Sequence, residues 1–179
     1  VVHGDAPVGR WLVEEPAIAF YAFTGSTAAG REIQRGVGLR RSQMELGSIA
    51  HTILDEDADL ARALPRVVSA AYRKAGQVCT SVQILLVHRR IHDEVRDKLA
   101  PLVRALPYGD PSKPDCVVGP LISANAAERV AAWVDEAVAQ GAERLVGSAR
   151  EGCVLPPVLL DRTTPTMRVR NREVFGPVL

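Results

Sequence analysis

The chain has 179 residues, 47% of them hydrophobic and 24% charged, a globular composition that excludes a disordered protein and fits one domain or one and a fraction. Lys plus Arg is 22 against 21 Asp plus Glu, and a net charge of +1 with 4% aromatics gives neither the field nor the stacking platform that nucleic acid or anionic lipid needs. The longest clean apolar stretch, Ala17 to Phe23, has a strand's length, far below the roughly 20 residues of a membrane span.

Taken in order, strands and helices alternate. Ala17–Phe23 reads as a buried strand. Thr24-Gly25-Ser26-Thr27 brings turn and N-cap chemistry, and a helix follows to about Val37, with Ile33 and Val37 on one face and Gly38 as its stop. Arg41–Leu46 and Ile49–Leu54 read as short strands broken by Gly47-Ser48. Asp55, Asp57 and Asp59 load a helix start with negative charge, and Leu60, Leu64, Val67, Val68 and Ala71 form its apolar stripe. Pro65 predicts a kink or a split in that helix, and Gly76 its end. Ile84–His88 reads as a strand. Ile91–Leu106 reads as a helix that turns Ile91, Val95, Leu99, Leu102 and Leu106 inward and is bent or split by Pro101. After a loop over Tyr108–Pro120, Ser123 caps a helix with Val130, Val134 and Val138 four apart, stopped by Gly141. Arg144–Val146 and Val158–Leu160 are short strands, and the last segment carries Phe175-Gly176-Pro177. This order predicts an α/β fold with a parallel sheet.

Four places can carry chemistry. Thr24-Gly25-Ser26 is a strand–helix junction, and a helix N-terminus with a close-approach glycine suits a phosphate. Cys79 lies among small and polar residues in Ala75-Gly76-Gln77-Val78-Cys79-Thr80-Ser81, between a helix and a strand, where a rigid scaffold presents reactive groups. Glu45 sits near a strand end in Met44-Glu45-Leu46-Gly47, and Glu173 opens Glu173-Val174-Phe175-Gly176-Pro177. Each also has a plain structural reading: an ordinary turn, a small core thiol, a solvated edge carboxylate, a surface strand start. Cys116 and Cys153 lack comparable surroundings. The three cysteines are too far apart for zinc-ligand spacing and cannot all pair within one chain. No secretory signal is evident, so a reducing compartment is expected. His3, His51, His88 and His92 have no partner at informative spacing, so a Cys–His dyad has little support.

Read together, these runs resemble the NAD(P)-dependent aldehyde dehydrogenase superfamily. In order they are Phe23-Thr24-Gly25-Ser26-Thr27, Glu45-Leu46-Gly47, Asp57-Ala58-Asp59-Leu60, Gly76 to Ser81, Gly109-Asp110-Pro111, Gly119-Pro120-Leu121, Gly141-Ala142 and Glu173 to Pro177. The resemblance covers essentially the whole chain. It implies an aldehyde dehydrogenase-like α/β fold: residues 1–46 as the C-terminal part of a Rossmann-like coenzyme-binding domain, and residues 47–179 as a parallel-sheet catalytic domain truncated at its C-terminus. Cys79 matches the family's nucleophile and Glu45 its general base. Gly25 and Ser26 match the turn near the cofactor pyrophosphate. Leu46 and Gly47 match residues beside the nicotinamide, Glu173 the carboxylate on its ribose and Phe175 a ring packing near it.

The cofactor implied is NAD or NADP and the substrate a small-molecule aldehyde. The parent enzyme is expected to be a cytoplasmic homodimer or homotetramer. The chain starts at Val1 and stops at Leu179 after an apolar run, so both ends read as cuts, and the 179 residues alone are expected not to turn over. Three departures stand out. Ser48 replaces the second glycine of the usual Glu-Leu-Gly-Gly, Ile84 stands where an arginine is usual, and Arg172 stands where an acid often precedes Glu173. Two alternatives follow: a CoA-acylating semialdehyde dehydrogenase, against which Glu45 speaks, and a non-catalytic degenerate homologue acting as a binding or structural module.

Overall fold

The first element, α1 (Ala6–Glu14), has no counterpart in the sequence reading; Pro7 lies in its first turn, and none of its residues is buried. The structure, a computed structural model, describes residues 1–179. By their contacts they divide into two units, Val1–Gly47 and Ser48–Leu179.

In the first unit β1 (Phe20–Thr24) and β2 (Arg41–Glu45) pair in parallel, Phe20 opposite Arg41 and Thr24 opposite Glu45. The crossover between them is α2 (Thr27–Val37). The Ser26 hydroxyl caps α2 by accepting from the Ala29 N–H at 3.2 Å, and Gly38 ends it at φ 58°. The strand expected as buried is shorter than Ala17–Phe23 and alternates between exposed and half-buried positions. A sheet of two strands leaves much of each face uncovered. Only Gly30 and Val37 are buried in this unit. Arg40 does much of the joining. Its guanidinium donates to the carbonyls of Val13 (2.6 Å), Glu15 (2.9 Å), Val37 (3.1 Å), Gly36 (3.2 Å) and Ile18 (3.5 Å). It also donates to the Tyr21 hydroxyl at 2.7 Å, with the guanidinium carbon 5.0 Å from that ring's centre. One side chain thus satisfies the loose ends of α1 and α2 together, as unpaired terminal carbonyls require.

The second unit repeats the strand–helix–strand plan. β3 (Ala50–Leu54) pairs in parallel with β4 (Val82–Val87) through α3 (Leu60–Tyr72). Of the three aspartates only Asp59 caps α3, accepting from the Arg62 N–H at 3.2 Å. Neither proline breaks its helix: α3 runs through Pro65, and α4 (His92–Arg104) through Pro101. Each proline lies on the exposed face, as does the residue four before it (Ala61 and Asp97), so water can satisfy the carbonyl left without a donor. In α4 the inward residues are Val95, Leu99 and Val103, while Leu102 faces outward, because strict four-residue spacing from Val95 lands on 103.

Ser123 caps α5 (Ala124–Ala139) through the Ala126 N–H at 3.1 Å. β5 (Glu143–Val146) and β6 (Leu159–Asp161) pair antiparallel, not parallel as the alternation predicts. No helix lies between them, and a parallel pair needs such a crossover. A short α6 (Arg168–Asn171) precedes the last segment, which lies beside β6: the Val158 N–H bonds the Pro177 carbonyl and the Leu160 N–H the Leu179 carbonyl, both at 2.8 Å. The core between these elements includes Leu64, Tyr72, Val103, Val118 and Val130. Tyr72 is fully buried, its hydroxyl donating to the Val158 carbonyl at 2.8 Å, and burial pushes that phenol's pKa well up.

Candidate active site

The segment leading to Cys79 begins with an unusual backbone. Lys74, Ala75 and Gly76 follow one another in the left-handed region, at φ 54°, 56° and 69°, a conformation that disfavours residues with a Cβ by about 1–2 kcal/mol each. Packing holds it there. A Cβ on Gly76 would stand 2.0 Å from the Gly176 carbonyl oxygen, so the two glycine backbones touch and position 76 admits no side chain. Gln77 is bonded at both ends of its amide: Oε1 accepts from the Ile122 N–H at 2.9 Å, and Nε2 donates to the Lys74 and Pro120 carbonyls at 3.3 Å. The Ser81 hydroxyl donates to the Ala71 carbonyl at 2.9 Å. The Ser81 N–H reaches the Val78 carbonyl at 2.9 Å, closing a β-turn with Cys79 and Thr80 at its corner. Cys79 is exposed and unpaired. Gly76 to Ser81, read as a motif, is therefore one fixed device presenting a thiol.

The Glu173 segment is held against it. Gln83, a buried polar residue in the apolar run of β4, donates to the carbonyls of Val169 and Arg172 at 2.8 and 2.7 Å and accepts from the Val174 N–H at 2.8 Å. These bonds bracket Glu173 on both sides. Arg129 donates to the Val174 carbonyl at 2.9 Å, and its guanidinium lies 4.9 Å from the centre of the Trp133 ring. Burial lowers the Arg129 pKa, and the Glu173 charge partly opposes that. Glu173 is half-buried, and its Oε1 accepts from the Ser48 backbone N–H at 3.2 Å. The Ser48 hydroxyl in turn donates to the Cys79 carbonyl. Phe175 takes a left-handed φ of 51° with its ring partly exposed.

Ser48, Cys79, Glu173 and Phe175 are thus gathered in one place. Ile84 is buried in β4, and no buried side-chain nitrogen or oxygen is left without a partner where an arginine is usual. The sequence reading misses Gln83 and Arg129. A lone amide inside Val82–Val87 is the signal that marks Gln83; the four-residue spacing to Trp133 is the only hint of Arg129.

The remaining candidates lie in the first unit, at the C-terminal ends of its parallel strands, the usual ligand-binding end of such sheets. The Gly25 N–H donates to the Glu45 carbonyl at 3.0 Å. The Glu45 carboxylate is exposed and accepts from Gln43 Nε2 at 3.3 Å. No acid lies in the first turn of α2, so its amino end keeps the positive character a pyrophosphate seeks. Leu46 lies over Gly30 of α2, where a Cβ would meet Leu46 Cδ2 at 2.5 Å. Gly47 ends the unit. In the first unit, Gly25, Ser26 and the α2 amino end suit the diphosphate of a dinucleotide; in the second, the Glu173 carboxylate has a further oxygen that suits a sugar hydroxyl.

Residues 1–179 match the model of the aldehyde dehydrogenase family. The 3-sulfolactaldehyde dehydrogenase of Priestia aryabhattai is 38% identical over 100% of this chain and 38% of its own length. Vanillin dehydrogenase of Pseudomonas sp. strain HR199 is 41% identical over 97% of this chain and 37% of its own. The crystal structure of a Mycobacterium tuberculosis aldehyde dehydrogenase complexed with NAD+ gives a TM-score of 0.95 at 34% identity, covering 98% of this chain and 38% of that one. That of the NADP-dependent glyceraldehyde-3-phosphate dehydrogenase of Bacillus halodurans, complexed with NADP, gives 0.92 at 36% identity over 96% and 36%. The chain spans little more than a third of the length of these relatives. No helix is long and apolar enough to cross a membrane.

Proposed function

Because this chain belongs to the aldehyde dehydrogenase family and has its α/β fold, we propose that it serves the oxidation of a small-molecule aldehyde to a carboxylic acid with hydride transfer to NAD or NADP. Residues 1–46 are then the coenzyme-binding part and residues 47–179 the catalytic part. The observation that carries the reading is the exposed Cys79 at the corner of a fixed β-turn, linked through Ser48 to Glu173.

Cys79, as the thiolate, adds to the aldehyde carbon and converts the carbonyl oxygen to an alkoxide. A nicotinamide dinucleotide, when bound, supplies the hydride acceptor. With the hydride gone, Cys79 holds the acyl group as a thioester. Glu45 takes a proton from water, whose oxygen attacks the thioester carbon, and the Cys79 sulfur leaves with the carboxylic acid formed. Gly25, Ser26 and the amino end of α2 would hold the dinucleotide's pyrophosphate, Leu46 and Gly47 would lie beside the nicotinamide, Glu173 would accept from its ribose and Phe175 would pack near it. The three unpaired cysteines suit a reducing compartment such as the cytoplasm. The parent enzyme is a homodimer or homotetramer, and the 179 residues alone give no turnover.

The test is NADH or NADPH formation in the enzyme carrying this chain, with and without CoA. Cys79→Ala is expected to abolish turnover and leave nucleotide binding intact. Glu45→Gln is expected to leave the burst and slow the steady state by about 10²–10⁴-fold. Near-normal turnover in Cys79→Ala overturns the reading. Equal slowing of burst and steady state removes Glu45 from the base role, and a requirement for CoA makes the enzyme an acylating one.

A further inference from the structure

The serine that stands in place of the family's usual glycine does more than narrow the backbone. Ser48 is the one residue bonded both to the nucleophile's own peptide and to the acid opposite it. Its backbone N–H donates to Glu173 Oε1 at 3.2 Å, and its Oγ donates to the Cys79 carbonyl. The Cys79 carbonyl belongs to the central peptide of the Val78–Ser81 turn. That peptide is the element whose rotation interconverts the two common turn types. One type needs φ > 0 at the third residue, here Thr80, which has a Cβ and does not adopt it. The other leaves the carbonyl on the face where Ser48 Oγ meets it. A glycine at 48 keeps the N–H bond to Glu173 and lacks the bond to Cys79. The remaining side-chain ties of this loop reach Gln77, Thr80 and Ser81, on either side of the thiol, and none reaches Cys79 itself.

We infer that Ser48 is a positioning residue for the nucleophile: its hydroxyl locks the peptide plane of Cys79, while its N–H holds the Glu173 carboxylate in register with it. The inference rests on the assignment of Cys79 as nucleophile for its catalytic consequence, and on the hydrogen bonds alone for its structural part. A side chain that lacks the hydroxyl frees the turn to rock about its central peptide, and the thiol loses its fixed direction of approach. The acid on the other side stays bonded, so cofactor affinity should move less than the chemical step.

The experiment compares Ser48→Ala and Ser48→Thr with the unsubstituted protein. Without substrate, amide exchange is read at Ser81, whose N–H closes the turn on Val78, and iodoacetamide labelling is read at Cys79 against Cys116 and Cys153. With substrate, pre-steady-state hydride transfer and KM for the nucleotide are measured. Removal of one such hydrogen bond is expected to speed Ser81 exchange in Ser48→Ala by about 2- to 12-fold. The labelling rate should change at Cys79 alone, and the hydride-transfer rate should fall by a similar factor at unchanged nucleotide KM. Ser48→Thr, which keeps the hydroxyl, should restore all three. Unchanged Ser81 exchange and Cys79 labelling in Ser48→Ala overturn the inference. So does faster exchange with an unaltered hydride-transfer rate, which leaves the bond purely structural. An unsubstituted enzyme that oxidises no aldehyde counts against the proposed function instead, and exchange and labelling still decide whether Ser48 sets the turn.

Discussion

Val1–Gly47 and Ser48–Leu179 are both built on a parallel strand pair joined through a helix, yet they are held together by different means. The second unit encloses Leu64, Tyr72, Val103, Val118 and Val130 away from water, and each side chain of that size contributes about 1.5–3 kcal/mol by its burial. The first unit buries only Gly30 and Val37 and relies on Arg40, whose guanidinium reaches five carbonyls and a phenol. Apolar burial is cumulative, whereas a guanidinium has five N–H groups and no more. A core can absorb the loss of one member, while a clamp centred on one side chain has no second member to share the load.

The contrast can be broken most directly in the core. Leu64→Ala should cost about 2–5 kcal/mol, read by urea unfolding, with amide exchange accelerating across α3 and α4 and not in α2. A cost below about 1 kcal/mol would mean that the second unit is not held by its core. Arg40→Ala should cost less in total, about 1.5–3 kcal/mol. Its effect should be confined to residues 6–45, where α1 loses protection first, because nothing in α1 is buried. Equal acceleration in α3 would erase the distinction between the two units.

The smallest effect sharpens the contrast by showing a polar tie within the apolar unit. His92 is hydrogen-bonded to Asp93 and to Asp161, both at 3.1 Å, and these bonds raise its pKa above the usual 6.5 although burial opposes them. Arg96 also faces Asp161, at 3.2 Å. A raised folded-state pKa means that the contribution of His92 is complete below about pH 6.5 and is lost as pH rises through the raised value. The stability difference between the wild type and His92→Gln should therefore shrink on going from pH 6 to pH 9. Because His92 is partly exposed, the change should be small beside the other two. A difference that grows with pH would contradict the assignment.

Much of this architecture is legible in the sequence where the signals are local. α2 is marked by Ser26 and Gly38, and α5 by Ser123 and Gly141, because a cap acts within one turn of the residue that supplies it. α1 goes unseen because it has no buried stripe; what fixes its end is Arg40, far along the chain. Neither Pro65 nor Pro101 splits its helix: the rule for proline counts a lost donor without knowing which face of the helix the residue occupies. Leu102 is chosen over Val103 because both lie near the correct face, and only the partner elements select between them. At the site, the runs of residues carry the resemblance, and Cys79, Glu45 and Glu173 can be named from them. What holds Cys79 and Glu173 in place cannot: Ser48 and Glu173 are 125 positions apart, and Gln83 reaches Val174 across 91. No local pattern encodes such a meeting.

The contact between Gly76 and Gly176 sets an order of events during synthesis. Lys74 and Ala75 are held in a left-handed turn whose packing partner is encoded a hundred positions later. At a translation rate of roughly 5–20 residues per second, that partner is made on the order of 5–20 s after the turn itself. Over that interval α3, capped by its own Asp59, can form from local contacts alone, and the Cys79 loop has its bonds to Ala71 and Ser48 within reach but not its glycine contact. The left-handed run that leads to Cys79 is thus expected to settle only once residue 176 has been made and has folded back.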